Sequence, residues 1–242
     1  MDKLKKMIKN FIQITDHLVD LIALILILSM MSLSGYMLWD SNQVYEKADA
    51  KVYEPYMPTR NHSKSFKELQ QINSDVIGWL KVNNTHINYP FVQYENDDKY
   101  MNTDAEGNYS LSGSIFLHAE NNPHFTDFNN IIYGHHMEHG MMFGAIDEYL
   151  NEDYFNSHRT GSLVVGKKTY KIRIFAVLEC EATEESIFAP TENDNTLNYI
   201  KQHALFIDNT ALPKDNEKLL GLSTCKYPDT VDRTLIFGAL DG

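Results

Sequence analysis

The sequence predicts a mostly β domain, a closed β-barrel of about eight short strands with short peripheral helices, which follows one transmembrane helix. Three observations support this fold class. An apolar run near the N-terminus is long enough to cross a bilayer. Short apolar segments then alternate with loops rich in Asn, Asp and Gly. Most of these segments have no helical pattern between them, which argues against a doubly wound parallel sheet.

The N-terminal run contains no charged residue from Leu21 to Trp39, and four lysines precede it within the first nine residues. Lysines on that side predict a cytoplasmic N-terminus. The alternative is a cleaved signal peptide, but its apolar region is usually about 7–15 residues long. We therefore expect an uncleaved signal-anchor. The predicted organisation is a cytoplasmic N-terminus (1–17), a transmembrane anchor (18–39), a stalk with a helical lead-in (40–74) and the β-barrel domain (75–242).

Charge and cysteine content exclude some classes of protein. The 242-residue chain has a formal net charge of -12, which argues against a nucleic acid as partner. It has two cysteines, Cys180 and Cys225. A domain outside the cytoplasm could join them in one disulfide, and the sequence leaves this open.

The elements follow from local patterns along the chain. A helix is predicted at 63–73, with Ser63 or Ser65 as its N-cap. Short helices are also expected at 141–150, 152–156 and 196–206, with an acidic loop at 181–195. The predicted strands are 76–82, 87–93, 113–118, 131–133, 162–165, 169–179 and two strands within 219–237.

The last two strands enclose the first candidate functional residue, Cys225. It ends an apolar strand, and the residues after it at 226–229 are typical of a turn. Arg233 opens the returning strand, and a cation close to a thiol favours the reactive thiolate. The competing interpretation is a small, buried apolar side chain, since free cysteines are often buried. A catalytic role needs a base elsewhere in the chain.

Candidate bases come from the three histidines of the segment His135-His136-Met137-Glu138-His139. His135 and His139 could share one face of a helix and bind a metal ion, but the segment lacks the His-Glu-x-x-His pattern and Gly140 favours a turn. We therefore expect neither a metal nor another cofactor. The other interpretation makes His135 or His136 the acid/base partner of Cys225, because both histidines follow a short strand that ends at Tyr133.

As a set, these residues resemble the sortases, which are membrane-anchored cysteine transpeptidases of Gram-positive bacteria. Tyr133-Gly134-His135 precedes Leu222-x-Thr224-Cys225 by about ninety residues, and Arg233 follows eight residues after the cysteine. The resemblance is closest to class B and implies a sortase-like barrel. One departure is Gly221, which stands where sortases often have a threonine.

The resemblance implies that Cys225 is the nucleophile, His135 the acid/base residue and Arg233 the donor to the oxyanion or to substrate carbonyls. Tyr133, Ser223 and Thr224 are expected to bind substrate. The first implied partners are secreted proteins with a C-terminal sorting signal, which is cleaved after a threonine. The second is the amine acceptor, a peptidoglycan cross-bridge or its lipid-linked precursor. The implied location is the cell membrane, with a single span and the catalytic domain outside.

Two alternatives to a transpeptidase remain open from the sequence. In the first, the chain is a hydrolytic cysteine peptidase of the cell wall, in which water replaces the amine acceptor. In the second, it is a membrane-anchored binding module in which Cys225 is buried and unreactive.

Overall fold

The computed structural model describes residues 1–58, 65–189, 194–225 and 232–242, with Asp194 and Cys225 described by their backbone alone. The chain divides into two compact units, Met1–Val44 and Tyr45–Gly242. Helix α1 (Asp2–Ala48) has a mean hydropathy of 2.2 over its most apolar stretch, so it is long and apolar enough to cross a membrane.

The second unit contains nine strands and short helices within the described residues. The strands are β1 (Val76–Val82), β2 (Asn88–Val92), β3 (Ile115–Leu117), β4 (Asn129–Tyr133), β5 (Thr160–Val165), β6 (Lys168–Glu181), β7 (Phe206–Ile207), β8 (Lys218–Cys225) and β9 (Asp232–Asp241). The α-helices are α2 (Phe66–Ile72), α3 (Glu152–Ser157), α4 (Glu185–Phe188) and α5 (Asp194–His203), and 3-10 helices span Ala50–Val52, Glu54–Tyr56, Lys99–Met101, Glu138–Gly140 and Gly144–Leu150.

Eight of these strands close into a barrel, which confirms the predicted fold class. The strand order is β5-β1-β2-β3-β4-β8-β9-β6, and pairing of β6 with β5 closes the ring. The β2–β3 and β4–β8 pairs are parallel, and the other pairs are antiparallel. Strand β7 pairs with β6 outside the ring as a ninth strand.

The strands that carry the candidate site are buried on both faces. Successive residues of a strand point to opposite faces. In β4, for example, Ile132 belongs to the larger core, which draws on all eight barrel strands, whereas Ile131 belongs to a second core. The second core also contains Ile187 of α4 and Ile200 of α5. These two helices therefore cover the outer side of the barrel at β4, β8 and β9.

Some local predictions were wrong, and the sheet explains one of them. The helix predicted at 196–206 ends at His203, because the Leu205 N–H donates to the Val177 carbonyl and Phe206 joins the edge of β6. The acidic loop predicted at 181–195 contains helix α4. The helix predicted at 141–150 is a 3-10 helix that begins only at Gly144.

The N-terminus of α2 has the capping arrangement that its sequence favours. The Ser65 hydroxyl accepts the Glu68 N–H, and the Glu68 carboxylate accepts the Ser65 N–H at 2.5 Å. The alternative cap at Ser63, the end of the stalk at 59–62, residues 190–193 of the acidic loop and the turn at 226–229 lie outside the described residues.

Close packing explains the unusual glycine at position 221. A Cβ atom there would lie 2.6 Å from Ile131 Cδ1 and 2.9 Å from Phe237 Cε1. The space that a threonine side chain would need is therefore filled by the neighbours of Gly221 on β4 and β9.

We expect Gly221→Ala to lower the free energy of unfolding by about 1–3 kcal/mol, because it overpacks a rigid core. Ile131→Val removes the nearest clashing atom. The double variant should therefore lose less stability than the sum of the two single variants in thermal unfolding of the full chain. Simple additivity would contradict this packing explanation.

Candidate active site

The backbone register brings His135, Cys225 and Arg233 into one row across neighbouring chain segments. Tyr133 pairs with Ser223 across the parallel β4–β8 pair, and the Gly134 N–H donates to the Ser223 carbonyl at 3.2 Å. His135 and Cys225 each come two residues further along. On the other side of β8, Cys225 pairs with Arg233. Because neighbouring strands lie about 4.8 Å apart, the three backbones converge at one end of the barrel.

Two hydrogen bonds fix His135. Its Nε2 lies 2.6 Å from the Met101 carbonyl oxygen, and its own carbonyl accepts the Phe143 N–H at 3.0 Å. A carbonyl only accepts hydrogen bonds, so Nε2 carries a proton. In the neutral ring Nδ1 is therefore the nitrogen that can take up a proton.

The neighbouring His136 has a different environment. Its Nε2 lies 2.6 Å from Oδ2 of Asp147, in the 3-10 helix Gly144–Leu150. The imidazole of His136 is thus held by a carboxylate, whereas that of His135 lines a cavity. This difference favours His135 as the base.

A cavity of about 220 Å³ lies at this end of the barrel. Every predicted site residue whose side chain the structure describes contributes to its wall, namely Tyr133, His135, Ser223, Thr224 and Arg233. The sequence did not indicate five of the other wall residues, which are Asp97, Met101, Phe116, Ala182 and Phe188.

Aromatic rings form one side of the cavity. Tyr133 stacks on Phe188 of α4 with ring centroids 6.2 Å apart and lies 5.4 Å from the ring of Phe116. Burial and the carboxylate of Asp97 raise the pKa of Tyr133, although Arg233 opposes this shift. Tyr133 is therefore neutral and can donate a hydrogen bond. Phe188 thus brings helix α4 to the cavity wall.

A carboxylate also lines the cavity. Asp97 accepts the Ala119 N–H at 2.8 Å and lies 2.6 Å from Nδ1 of His118. Burial alone would lower the pKa of His118, but the hydrogen bond and charge of Asp97 outweigh burial and raise it. The cavity therefore has an acidic group at Asp97 and a basic group at Arg233.

Two hydroxyl groups in the cavity wall lack partners among the described residues. Ser223 and Thr224 are each 1% exposed, and neither hydroxyl has a hydrogen-bond partner there. Buried polar groups usually have a partner, so these two hydroxyls are exceptions beside the cavity.

The second cysteine has a different environment. Cys180 pairs with Arg233 from the β6 side, and its thiol is free, so the disulfide that the sequence left open is absent from the described structure. Burial and Glu184 raise the pKa of Cys180 to about 12, although Arg233 opposes the shift. This thiol is therefore protonated and unreactive at neutral pH. Within the described residues, no three His, Cys, Asp or Glu side chains are arranged to hold a metal ion.

Comparison with known proteins agrees with the fold. Residues 80–241 match the model of the sortase domain, which is more than half of the chain. The chain therefore belongs to the sortase family.

The similar proteins are class B members. Sortase B of Listeria monocytogenes is 32% identical over 192 residues, which are 77% of this chain and 75% of that protein. A Streptococcus pyogenes class B sortase involved in pilus biogenesis is 37% identical, has a TM-score of 0.67 and covers 73% of this chain and 97% of its own. The Staphylococcus aureus sortase B–substrate complex is 25% identical, with a TM-score of 0.66 and coverage of 83% and 93%. These matches confirm the class B resemblance.

Proposed function

We propose that this chain is a membrane-anchored cysteine transpeptidase that cleaves a C-terminal sorting signal after a threonine and transfers the protein to a cell-wall amine. The observation that carries the proposal is the row formed by His135, Cys225 and Arg233 across three neighbouring chain segments at the cavity. Membership of the sortase family supports it.

The reaction takes place in two steps, formation of a thioester and its attack by an amine. The Cys225 thiolate attacks the threonine carbonyl, a sulfur–carbon bond forms, and the carbon–nitrogen bond breaks as His135 protonates the leaving amine. An incoming amine then attacks the thioester and gives its proton to His135, and the thiolate of Cys225 leaves. Covalent catalysis thereby divides a difficult amide exchange into two easier steps.

The cavity residues suit an extended peptide. Arg233 offers several fixed donors to the oxyanion that develops on the threonine carbonyl. Ser223 and Thr224 form part of the wall against which the substrate backbone would lie, and Tyr133 packs with Phe116 and Phe188 at the same cavity.

The family indicates the proposed protein partners, and the long apolar N-terminal helix indicates the membrane. One of the similar solved structures is a Staphylococcus aureus sortase B–substrate complex, which supports a sorting signal as substrate here. The acceptor is a peptidoglycan cross-bridge amine or its lipid-linked precursor. Residues 18–39 anchor the chain with a cytoplasmic N-terminus, as the lysines before them favour, so that the catalytic domain (75–242) lies outside.

A peptide library of the Asn-Pro-x-Thr type tests the proposal, using the full chain in detergent micelles with and without an added glycine peptide. We expect cleavage after threonine, a mass adduct on Cys225 and a new amide product when the amine is present. Release of the free acid alone, whatever the amine concentration, would indicate the hydrolytic peptidase. No cleavage, with Cys225 resistant to a small alkylating reagent, would indicate the binding module.

We expect Arg233→Ala to lower kcat by about 10²–10³-fold, because it removes a preorganised donor to the oxyanion. The matched control is Arg173→Ala on β6, whose guanidinium pairs with Glu217 at 2.6 Å and does not line the cavity. The control should keep kcat within about threefold. Equal losses in the two variants would mean that Arg233 acts only through the net charge or the stability of the domain.

A further inference from the structure

The loop that carries His135 folds back so that its last residues pair with its first, and it contains strained backbone conformations. We call residues 135–144 the histidine loop. Met142 pairs with His136 in an isolated bridge, and the Phe143 N–H donates to the His135 carbonyl. His139 and Met142 have φ values of 60° and 50°, which non-glycine residues rarely adopt. Such residues keep this conformation only where their surroundings hold it.

The surroundings of the loop include the first residues of the second unit. We call residues 45–56 the entry segment. The Tyr45 ring lies edge-on to His139 at 5.7 Å, and its hydroxyl donates to the Glu138 carboxylate at 3.3 Å. Ala48 is 1% exposed. The entry segment is therefore part of the packed domain and lies against the histidine loop.

One side chain connects the two segments. Tyr89 on β2 is buried, its hydroxyl donates to the Ala48 carbonyl at 2.9 Å, and the same oxygen accepts the Met142 N–H at 3.0 Å. Met142 directly precedes Phe143, whose N–H donates to the His135 carbonyl. Hydrogen bonds thus connect the entry segment, Tyr89, the strained turn and the backbone of His135.

We propose that Tyr89 is a positioning residue, whose hydroxyl fastens the histidine loop to the entry segment and so keeps His135 in its catalytic place. The inference rests on the proposed function, in which His135 transfers the proton. Tyr89 does not line the cavity and acts only through the loop.

Loss of the hydroxyl should affect catalysis more than packing. In Tyr89→Phe the ring still fills its site, but the Met142 N–H loses its acceptor at a residue with a positive φ value. The turn can then relax, and His135 moves with it. Because a displacement of about 1 Å can cost about 10²-fold in rate, we expect kcat to fall about tenfold with little change in KM.

The matched control is Tyr149→Phe. Tyr149 is also fully buried, and its hydroxyl donates to the His158 carbonyl at 2.6 Å. Both variants are made in the full chain, and kcat and KM for a fluorogenic Asn-Pro-x-Thr peptide are measured together with thermal unfolding. Amide hydrogen exchange of residues 135–144 reports the loop independently of turnover.

Support requires a lower kcat and faster exchange in the histidine loop for Tyr89→Phe, with kcat in Tyr149→Phe within about twofold of the parent. Equal falls in kcat in the two variants, or unchanged kcat in both, would show that Tyr89 is a structural residue only. If Tyr89→Phe does not fold, Tyr45→Phe tests the same contact between the entry segment and the histidine loop. We then expect kcat to fall about two- to threefold. An unchanged kcat in Tyr45→Phe would contradict the proposal.

Failure of the proposed function would be seen separately. If Cys225→Ala keeps full turnover, the thioester chemistry is wrong whatever Tyr89 does. If Cys225→Ala is inactive and Tyr89→Phe is normal, only the positioning role fails.

Discussion

Cys225→Ala is expected to remove all thioester formation and reduce turnover to the level of the uncatalysed reaction. The proposed mechanism has a covalent intermediate, whose formation needs the sulfur of Cys225. Backbone pairing of β8 with β4 and β9 does not depend on this side chain, so the barrel should still fold. The measurements are adduct formation by mass spectrometry, turnover of the peptide and thermal unfolding.

Cys180→Ala is the matched control for this prediction. Because the pKa of Cys180 is raised to about 12, this thiol is protonated at neutral pH. We expect Cys180→Ala to keep activity within about threefold, and iodoacetamide at neutral pH to modify Cys225 before Cys180. Turnover that survives in Cys225→Ala and disappears in Cys180→Ala would reverse the two roles.

His135→Ala is expected to lower kcat by about 10²–10⁴-fold, because the leaving amine loses its proton donor. Its stability should change little, since the ring lines an open cavity and its described side-chain hydrogen bond is the one to Met101. Turnover and thermal unfolding of the full chain measure the two effects.

His136→Ala is the adjacent control and should behave in the opposite way. It removes the partner of Asp147, one of whose carboxylate oxygens is already buried without a partner among the described residues. We expect a loss of about 0.5–1 kcal/mol in the free energy of unfolding, because the pair is partly exposed, and a much smaller effect on kcat than in His135→Ala. If His136→Ala abolishes turnover and His135→Ala does not, the wrong histidine has been proposed as the base.

The barrel could be predicted because its strands are local patterns, whereas the grouping of His135 with Cys225 and Arg233 is implied by the resemblance to sortases. Short apolar segments indicate strands; His135 follows the end of β4, and Cys225 is the last residue of β8. The spacing from Cys225 to Arg233 is that of a strand, a turn and a returning strand, and β8 and β9 do pair with these two residues opposite one another.

The rest of the cavity could not be predicted because its residues meet only in three dimensions. Asp97 lies in a loop without periodicity, and its importance depends on His118, twenty-one residues away. Phe188 ends a helix of four residues, too short to show a helical period within an acidic segment. The contact of Met101 with His135 uses a backbone carbonyl, which no side-chain pattern can indicate.

The position of Arg233 between the two cysteines has a further consequence for redox chemistry. Cys180 and Cys225 pair with Arg233 from opposite sides, so two strand spacings of about 4.8 Å each separate their backbones. A disulfide needs Cα atoms within about 6.8 Å, and the intervening strand therefore prevents one. Oxidation of Cys225 to a sulfenic acid would find no resolving thiol within the chain, so recovery would depend on an external reductant.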